Sequence, residues 1–165
     1  MRLNLNSIVG KPGAKKEFRF SFNPEGLSFP QVARFDSPFP ASGYVANVAG
    51  ALELAGELET AITYLCDRCM TPVPRSETLS VTAHLAEELV DEENPDIFLV
   101  EDGAIDLDEV FNTAFVLSMD AKFVCSDDCK GLCTSCGANR NNETCACHRG
   151  VDPRLAALQQ LLDKE

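Results

Sequence analysis

The sequence has no apolar run that approaches the roughly 18 residues required for a membrane-spanning helix. Its N-terminal stretch also lacks the continuous apolar segment and the small-residue cleavage site of a secretory signal. Apolar residues nevertheless make up 45% of the chain, which is typical of a protein with a packed core. We therefore expect a globular, cytoplasmic protein that does not interact with membranes.

Residues suited to catalysis are scarce. His84 and His148 are the only histidines, so no serine or cysteine nucleophile has a credible base. The chain also lacks a phosphate-binding glycine loop and a His-Glu-x-x-His motif. We predict that the protein is not an enzyme.

Lysine and arginine are absent between Arg75 and Lys122, whereas 13 of the 26 acidic residues lie in that interval. Such a segment repels phosphate and cannot supply the counterion release that drives nucleic-acid binding, so we predict no DNA binding. Direct contact with RNA stays open, because scattered basic residues exist elsewhere but form no stripe with interleaved aromatics.

The densest part of this interval is an acidic segment, which we predict to bind a basic partner such as a ribosomal protein. The acidic segment consists of Glu87, Glu88, Asp91, Glu92 and Glu93. The alternative is a solvated face that maintains solubility. Because a docking surface of this kind is electrostatic, its affinity should fall as ionic strength rises.

Alternation of polar and apolar residues predicts strands over most of the first half of the chain. One strand covers Lys16 to Phe22, and a long alternating segment runs from Gly43 to Tyr64. We expect Gly50 and Gly56 to mark bulges or bends in that segment. Glu77 to Leu85 forms the next strand, so the upstream Cys-x-x-Cys pair falls at a turn between antiparallel strands.

Two helices follow. Asp106 is a suitable N-cap for a helix at about 106–119, and Asp152 with Pro153 predicts a second helix that continues through Asp163. The fold class is therefore α+β: a strand-rich antiparallel body with one central helix, a cysteine-rich zinc-knuckle segment and a C-terminal helix. We expect the body to cover residues 1–120, and the metal-binding segment with its helix to cover 121–165 and to pack on the body.

Eight cysteines are the most informative feature of the chain. In a reducing compartment such a set binds metal more often than it forms disulfides, and paired cysteines at Cys-x-x-Cys spacing suit tetrahedral zinc. Few large apolar side chains lie among the last six cysteines, so metal ligation would have to order that segment. We expect one or two structural zinc ions; an iron–sulfur cluster is also chemically open to four cysteines.

Loop closure favours a local cluster of four cysteines, because only eight residues separate its two chelating pairs. The local cluster is Cys133, Cys136, Cys145 and Cys147. A split cluster would then join the four remaining cysteines, which are Cys66, Cys69, Cys125 and Cys129. Two alternatives stay open: a ribbon-like site made of the two Cys-x-x-Cys pairs, and a single metal ion with spare thiols.

An ordered series of motifs from about Gly43 to the end of the chain resembles the YceD family, the large ribosomal RNA subunit accumulation proteins of bacteria and plastids. These motifs are Cys66-Asp67-Arg68-Cys69-Met70, Ile105-Asp106-Leu107-Asp108-Glu109, the run from Cys125 to Asn139 and the run from Val151 to Leu158. The resemblance implies a cytoplasmic, non-enzymatic accessory factor for large-subunit ribosomal RNA, with a ribosomal protein or a pre-ribosomal particle as partner. The second hypothesis is a thiol-based redox switch or a zinc reservoir.

Overall fold

A computed structural model of the chain describes residues 1–36, 38–87 and 97–147. The chain forms two compact units. The first contains Met1–Leu65 and Pro72–Phe123, and the second contains Cys66–Thr71 together with the residues from Val124 onward. The predicted division is a single boundary at residue 120. It does not include the placement of Cys66–Thr71 in the second unit.

The first unit is built on a six-stranded sheet and a separate two-stranded sheet. Its strands are β1 (Arg2–Asn4), β2 (Lys15–Phe22), β3 (Val32–Phe35), β4 (Phe39–Val48), β5 (Ala51–Leu65), β6 (Pro72–Ala86), β7 (Ile97–Leu99) and β8 (Ala104–Asp106). The large sheet has the order β2-β4-β5-β6-β7, and β3 pairs with the end of β5 beyond the residues that pair with β4. Strands β1 and β8 pair with each other, although they lie about a hundred residues apart in sequence.

Strands β4 and β5 form a tight hairpin where we predict one continuous alternating segment. We expect a bulge or a bend at Gly50, and the structure has a complete chain reversal there, because Ala49 and Gly50 both have positive φ, 52° and 102°. Two consecutive residues with positive φ are characteristic of the type I′ turn that joins antiparallel strands.

Gly56 also differs from its prediction, because it lies in regular register opposite Gly43 and forms no bulge. A β-carbon on Gly43 would come within 2.5 Å of the Gly56 α-carbon and within 2.9 Å of the Phe18 ring. The two glycines therefore allow the backbones and an aromatic ring to approach closely.

Helix α1 (Leu107–Ser118) begins where its sequence predicts. The Asp106 side chain accepts a hydrogen bond from the Asp108 N–H at 3.1 Å, as an N-cap does. The buried Phe111 ring stands edge-on to Phe18 and Phe20, with centroid separations of 5.9 and 5.1 Å. Such aromatic contacts attach the apolar stripe of the helix to the sheet.

The α+β prediction is confirmed at the level of a strand-rich unit with one helix in the described residues. The expected purely antiparallel body is wrong in one pairing, because β6 and β7 run parallel. The helix predicted from Asp152 lies outside the described residues. Where the chain is described, it contains no helix long and apolar enough to cross a membrane.

Candidate metal centres

The segment Cys66–Thr71 joins β5 to β6 as a compact knuckle, at the position that the sequence predicts for it. The Met70 N–H donates to the Cys66 carbonyl at 2.8 Å, and the Cys66 N–H donates to the Thr71 carbonyl at 3.1 Å. Met70 has a φ of 57°, which is unusual for a residue with a side chain. This turn aims the sulfurs of Cys66 and Cys69 to the same side.

A second knuckle with the same hydrogen bonds begins at Cys133. The Gly137 N–H donates to the Cys133 carbonyl at 2.8 Å, and the Cys133 N–H donates to the Ala138 carbonyl at 2.8 Å. Gly137 has a φ of 77° and occupies the position that Met70 holds in the first knuckle. Glycine adopts this conformation without strain, as the sequence predicts for this position.

The split cluster brings together four cysteine sulfurs, all within 4.8 Å of one another. The Cys66 and Cys129 sulfurs are 3.8 Å apart, and the Cys69 and Cys125 sulfurs are 3.6 Å apart. Three of these cysteines are buried and Cys125 is exposed. All four belong to the second unit, although two come from the loop after β5 and two from the segment after α1.

The local cluster brings together the other four sulfurs, which also lie within 4.8 Å of one another. Here Cys136 and Cys147 are exposed, and Cys133 and Cys145 are half-buried. The cluster borders an open cleft of about 420 Å³ whose lining includes Lys130 and Arg140. Such cations can offset the negative charge of a thiolate-rich site.

These distances fit a single tetrahedral metal ion in each cluster. Zinc binds four sulfurs at about 2.3 Å, which sets neighbouring sulfurs roughly 3.8 Å apart. In the split cluster, the sulfur pairs at 3.6 and 3.8 Å match this edge length, and the sulfurs of the local cluster lie within 4.8 Å of one another. An iron–sulfur cluster instead inserts several irons and sulfides between its four cysteines, which separates them more widely. Both clusters are therefore compatible with zinc.

The thiols of the split cluster differ in acidity. Burial raises the pKa of Cys66, but backbone N–H groups, including those of Cys125 and Arg68, donate to its sulfur and together lower the pKa to about 6. Hydrogen bonds to the sulfurs of Cys129 and Cys69 raise the pKa of Cys125 to about 12. Metal binding must therefore displace protons that the cysteines share.

The thiols of the local cluster also differ in acidity. The N–H groups of Cys136 and Ser135 lower the pKa of Cys133 to about 6. The sulfur of Cys136 raises the pKa of Cys147 to about 11 through a side-chain hydrogen bond. In both clusters, the cysteine at the start of a knuckle has a pKa lowered to about 6.

Two polar side chains contact the sulfurs of the split cluster, a third contacts one of these two, and none of them was singled out from the sequence. The Asn141 amide donates to the Cys129 sulfur at 3.4 Å. The Cys69 thiol and the Asn139 amide both donate to the Thr71 hydroxyl oxygen at 3.2 Å. Spacing carries no signal for such groups, because only the folded chain brings them to the sulfurs.

Of the acidic segment, the structure describes only Glu87, which is exposed. Glu88, Asp91, Glu92 and Glu93 lie outside the described residues, as does His148. The use of this segment as a binding surface stays a prediction.

Comparison with known proteins identifies relatives over most of the chain. Residues 54–162 match the family model described as "Large ribosomal RNA subunit accumulation protein YceD". This range includes all eight cysteines and helix α1. No solved structure gives a significant match.

Curated relatives come from bacteria and from a plant. An uncharacterized protein of Mycobacterium tuberculosis is 30% identical over 125 residues, covering 73% of this chain and 60% of that protein. An uncharacterized protein of Mycobacterium leprae is 26% identical, over 79% of this chain and 62% of its own length. The maize protein "Large ribosomal RNA subunit accumulation protein YCED homolog 1, chloroplastic" is 28% identical, over 67% of this chain and 49% of its own length.

The chain thus spans between about half and three fifths of the length of these relatives. The family model, by contrast, matches well over half of the chain. The chain therefore belongs to the YceD family of large ribosomal RNA subunit accumulation proteins.

Proposed function

We propose that this protein is a non-enzymatic accessory factor in the biogenesis of the large ribosomal subunit, where it supports the accumulation of large-subunit ribosomal RNA. The family match over residues 54–162 carries this proposal. The name of the maize relative states the same role for that protein. A ribosomal protein or a pre-ribosomal particle is the corresponding partner.

Zinc has a structural role in this proposal. Four thiolates around one ion leave no open coordination position, so neither cluster can activate water for hydrolysis. The described part of the second unit, which ends at Cys147, also has little apolar material with which to fold, since its buried hydrophobic cluster consists of three cysteines with Val124 packed against them. Metal ligation supplies the order that burial cannot.

The acidic segment is the proposed docking surface for a basic partner. The described end of it, Glu87, is exposed and follows directly after β6. Acidic side chains of this density favour contact with a positively charged protein and disfavour contact with bare RNA. We therefore propose contact with a protein partner ahead of direct contact with RNA.

Depletion of the protein in its host tests the main proposal. We expect the ratio of large- to small-subunit ribosomal RNA to fall, and wild-type protein to restore it and to sediment with large-subunit precursors. Normal ribosomal RNA ratios and normal subunit profiles after complete depletion would refute the role.

The docking surface is tested by complementation with a variant in which all five acids of the acidic segment become glutamine. The matched control changes five exposed acids elsewhere: Glu17, Glu25, Glu57, Glu59 and Glu77. Rescue by the control and failure of the acidic-segment variant are expected. Equal rescue by both would leave the family role intact and refute this surface.

The exposure of Cys136 and Cys147 favours a second candidate, a thiol switch at the local cluster. Hydrogen peroxide would oxidise two zinc thiolates to a disulfide, be reduced to water, and release the zinc ion. Release of one zinc equivalent at mild peroxide doses, reversed by dithiothreitol and added zinc, is the expected signature. Retention of both ions until the protein denatures would refute it.

A further inference from the structure

The loop of residues 137–144 connects the two clusters. It begins after Cys136 and ends before Cys145, so both of its ends are held by cysteines of the local cluster. The same loop carries Asn139 and Asn141, whose side chains contact groups of the split cluster. All of these residues belong to the second unit.

Asn141 makes the direct contact. Its amide nitrogen donates to the Cys129 sulfur at 3.4 Å and to the Asn139 side-chain oxygen at 2.9 Å. Its side-chain oxygen accepts the Lys130 backbone N–H at 2.8 Å, directly after the Cys129 ligand. Asn141 is therefore held from both ends in the orientation that aims an N–H at the sulfur.

Asn139 makes an indirect contact through Thr71. Its amide donates to the Thr71 hydroxyl oxygen, and that oxygen lies 3.2 Å from the Cys69 sulfur. Because Asn139 supplies a donor to the hydroxyl oxygen, the hydroxyl hydrogen can turn toward Cys69 when this cysteine becomes a thiolate. A second ligand of the split cluster thus receives a hydrogen bond that depends on the loop.

The backbone continues the connection. The Arg140 N–H donates to the Gly131 carbonyl at 3.0 Å, and the Leu132 N–H donates to the Arg68 carbonyl inside the first knuckle at 2.8 Å. Gly131 packs closely there, since a β-carbon on it would lie 2.8 Å from the Arg68 carbonyl oxygen. The loop, the Cys129 segment and the first knuckle therefore form one hydrogen-bonded assembly.

We propose that metal in the local cluster tightens metal binding at the split cluster, and that Asn141 is the positioning residue that transmits the effect. This inference rests on the proposed zinc occupancy of both clusters. Metal at Cys136 and Cys145 closes the loop of residues 137–144, which removes the entropic cost of bringing Asn141 to Cys129. Outer hydrogen bonds to metal ligands typically change metal affinity by about 10–100-fold.

Linkage makes the effect reciprocal. If an occupied local cluster raises the affinity of the split cluster by a given factor, an occupied split cluster raises the affinity of the local cluster by the same factor. The two ions then bind with positive cooperativity.

The experiment titrates the full chain with zinc against a competing chelator, and follows the amide resonances of Cys66–Thr71 to report the split cluster. The double variant Cys133→Ser with Cys136→Ser empties the local cluster by removing one of its chelating pairs. The double variant Cys145→Ser with Cys147→Ser empties it by removing the other pair. Both double variants are expected to weaken zinc binding at the split cluster by the same factor, about 10–100-fold.

Asn141→Asp tests the positioning residue. The aspartate keeps an acceptor for the Lys130 N–H but replaces the donor to Cys129 with a negative charge. Asn142→Asp is the matched control, because Asn142 is exposed and its side chain makes no hydrogen bond within the described residues. We expect a loss of about tenfold or more for Asn141→Asp and none for Asn142→Asp.

Combining Asn141→Asp with an emptied local cluster should cause a smaller loss than the sum of the two separate losses, because both changes remove the same contact. Cobalt provides a spectroscopic readout that a purely structural role would not move. Loss of the N–H donor raises the energy of the thiolate electrons, so the thiolate-to-cobalt band of the split cluster should shift to longer wavelength in Asn141→Asp.

Two failures are distinguishable. The coupling would be overturned, and the zinc role left intact, if the wild-type chain took up two zinc ions while the split-cluster affinity stayed unchanged in both double variants. Equal effects of Asn141→Asp and Asn142→Asp would overturn it in the same way. Failure of the wild-type chain to take up zinc in either cluster would overturn the zinc role and the coupling together.

Discussion

Removing the metal should unfold the second unit and leave the first one folded. The perturbation is a strong zinc chelator added to the full chain under reducing conditions. Its selectivity follows from the very different cores of the two units.

The size of the expected effect follows from the side chains that each unit buries. The first unit has fully buried aromatic and aliphatic side chains such as Phe39, Phe111 and Phe115. The second unit has the partly buried Val124 and small cysteines, and full burial of a valine contributes only about 1.5–3 kcal/mol. Ligation of a structural zinc ion contributes about 10–16 kcal/mol at neutral pH. Among the described residues of the second unit, zinc ligation would thus be the dominant stabilising term.

Amide hydrogen exchange measured by mass spectrometry is the assay. After chelation, peptides that cover residues 66–71 and 124–147 should exchange at the rate of an unfolded chain. Peptides from the β4–β5 hairpin should keep their protection, which makes them the internal control. The Cys133→Ser and Cys136→Ser double variant should show intermediate protection before chelation, because it keeps the split cluster.

The reasoning would be refuted if elemental analysis showed complete metal removal while residues 124–147 stayed protected. It would also be refuted if the β4–β5 hairpin lost protection to the same extent, since the first unit would then depend on the metal.

Three substitutions test other parts of the structure. Gly43→Ala should lower the free energy of unfolding by about 1–3 kcal/mol, because the new methyl group collides with the β5 backbone and Phe18; Ser42→Ala is the control, with a change within about 0.5 kcal/mol in chemical denaturation. Gly137→Ala should weaken zinc binding by about 1 kcal/mol and Met70→Gly should strengthen it by a similar amount, because a left-handed residue is strained unless it is glycine; equal chelator competition by both variants would contradict this. Asp106→Ala should cost about 1 kcal/mol in thermal unfolding through loss of the N-cap, whereas Asp106→Asn keeps the acceptor and most of the stability.

Local signals in the sequence predict much of this structure. The N-cap at Asp106 and the strand at Lys16 to Phe22 depend on neighbouring residues alone, and both appear as expected. The Ala49-Gly50 turn does not, because it lacks the Asn-Gly or Asp-Gly pair that marks most type I′ turns. Alternation continues across it, so the two strands look like one.

Long-range pairings could not be derived from such signals. Nothing near β1 indicates that it pairs with β8, and nothing near β7 indicates a parallel partner. At the candidate site, spacing suggests which cysteines can share a metal but says nothing of burial. The split cluster, which local reasoning ranks second, is the more buried one in the structure. Its contacts with Thr71 and Asn141 depend on the complete fold of the second unit.

The knuckle between β5 and β6 also sets an order of events during synthesis. Cys69 leaves the ribosome 56 residues before Cys125, its neighbour in the split cluster. At about 5–20 residues per second, this delay lasts roughly 3–11 s. Once Ala86 has emerged, 39 residues before Cys125, the β5–β6 hairpin can form while the two thiols in its connecting loop have no partner ligands. The nascent chain therefore passes through a stage in which Cys66 and Cys69 are open to oxidants or to metal delivery before the Cys125 N–H can lower the pKa of Cys66, and a chain truncated before Cys125 would remain in that stage.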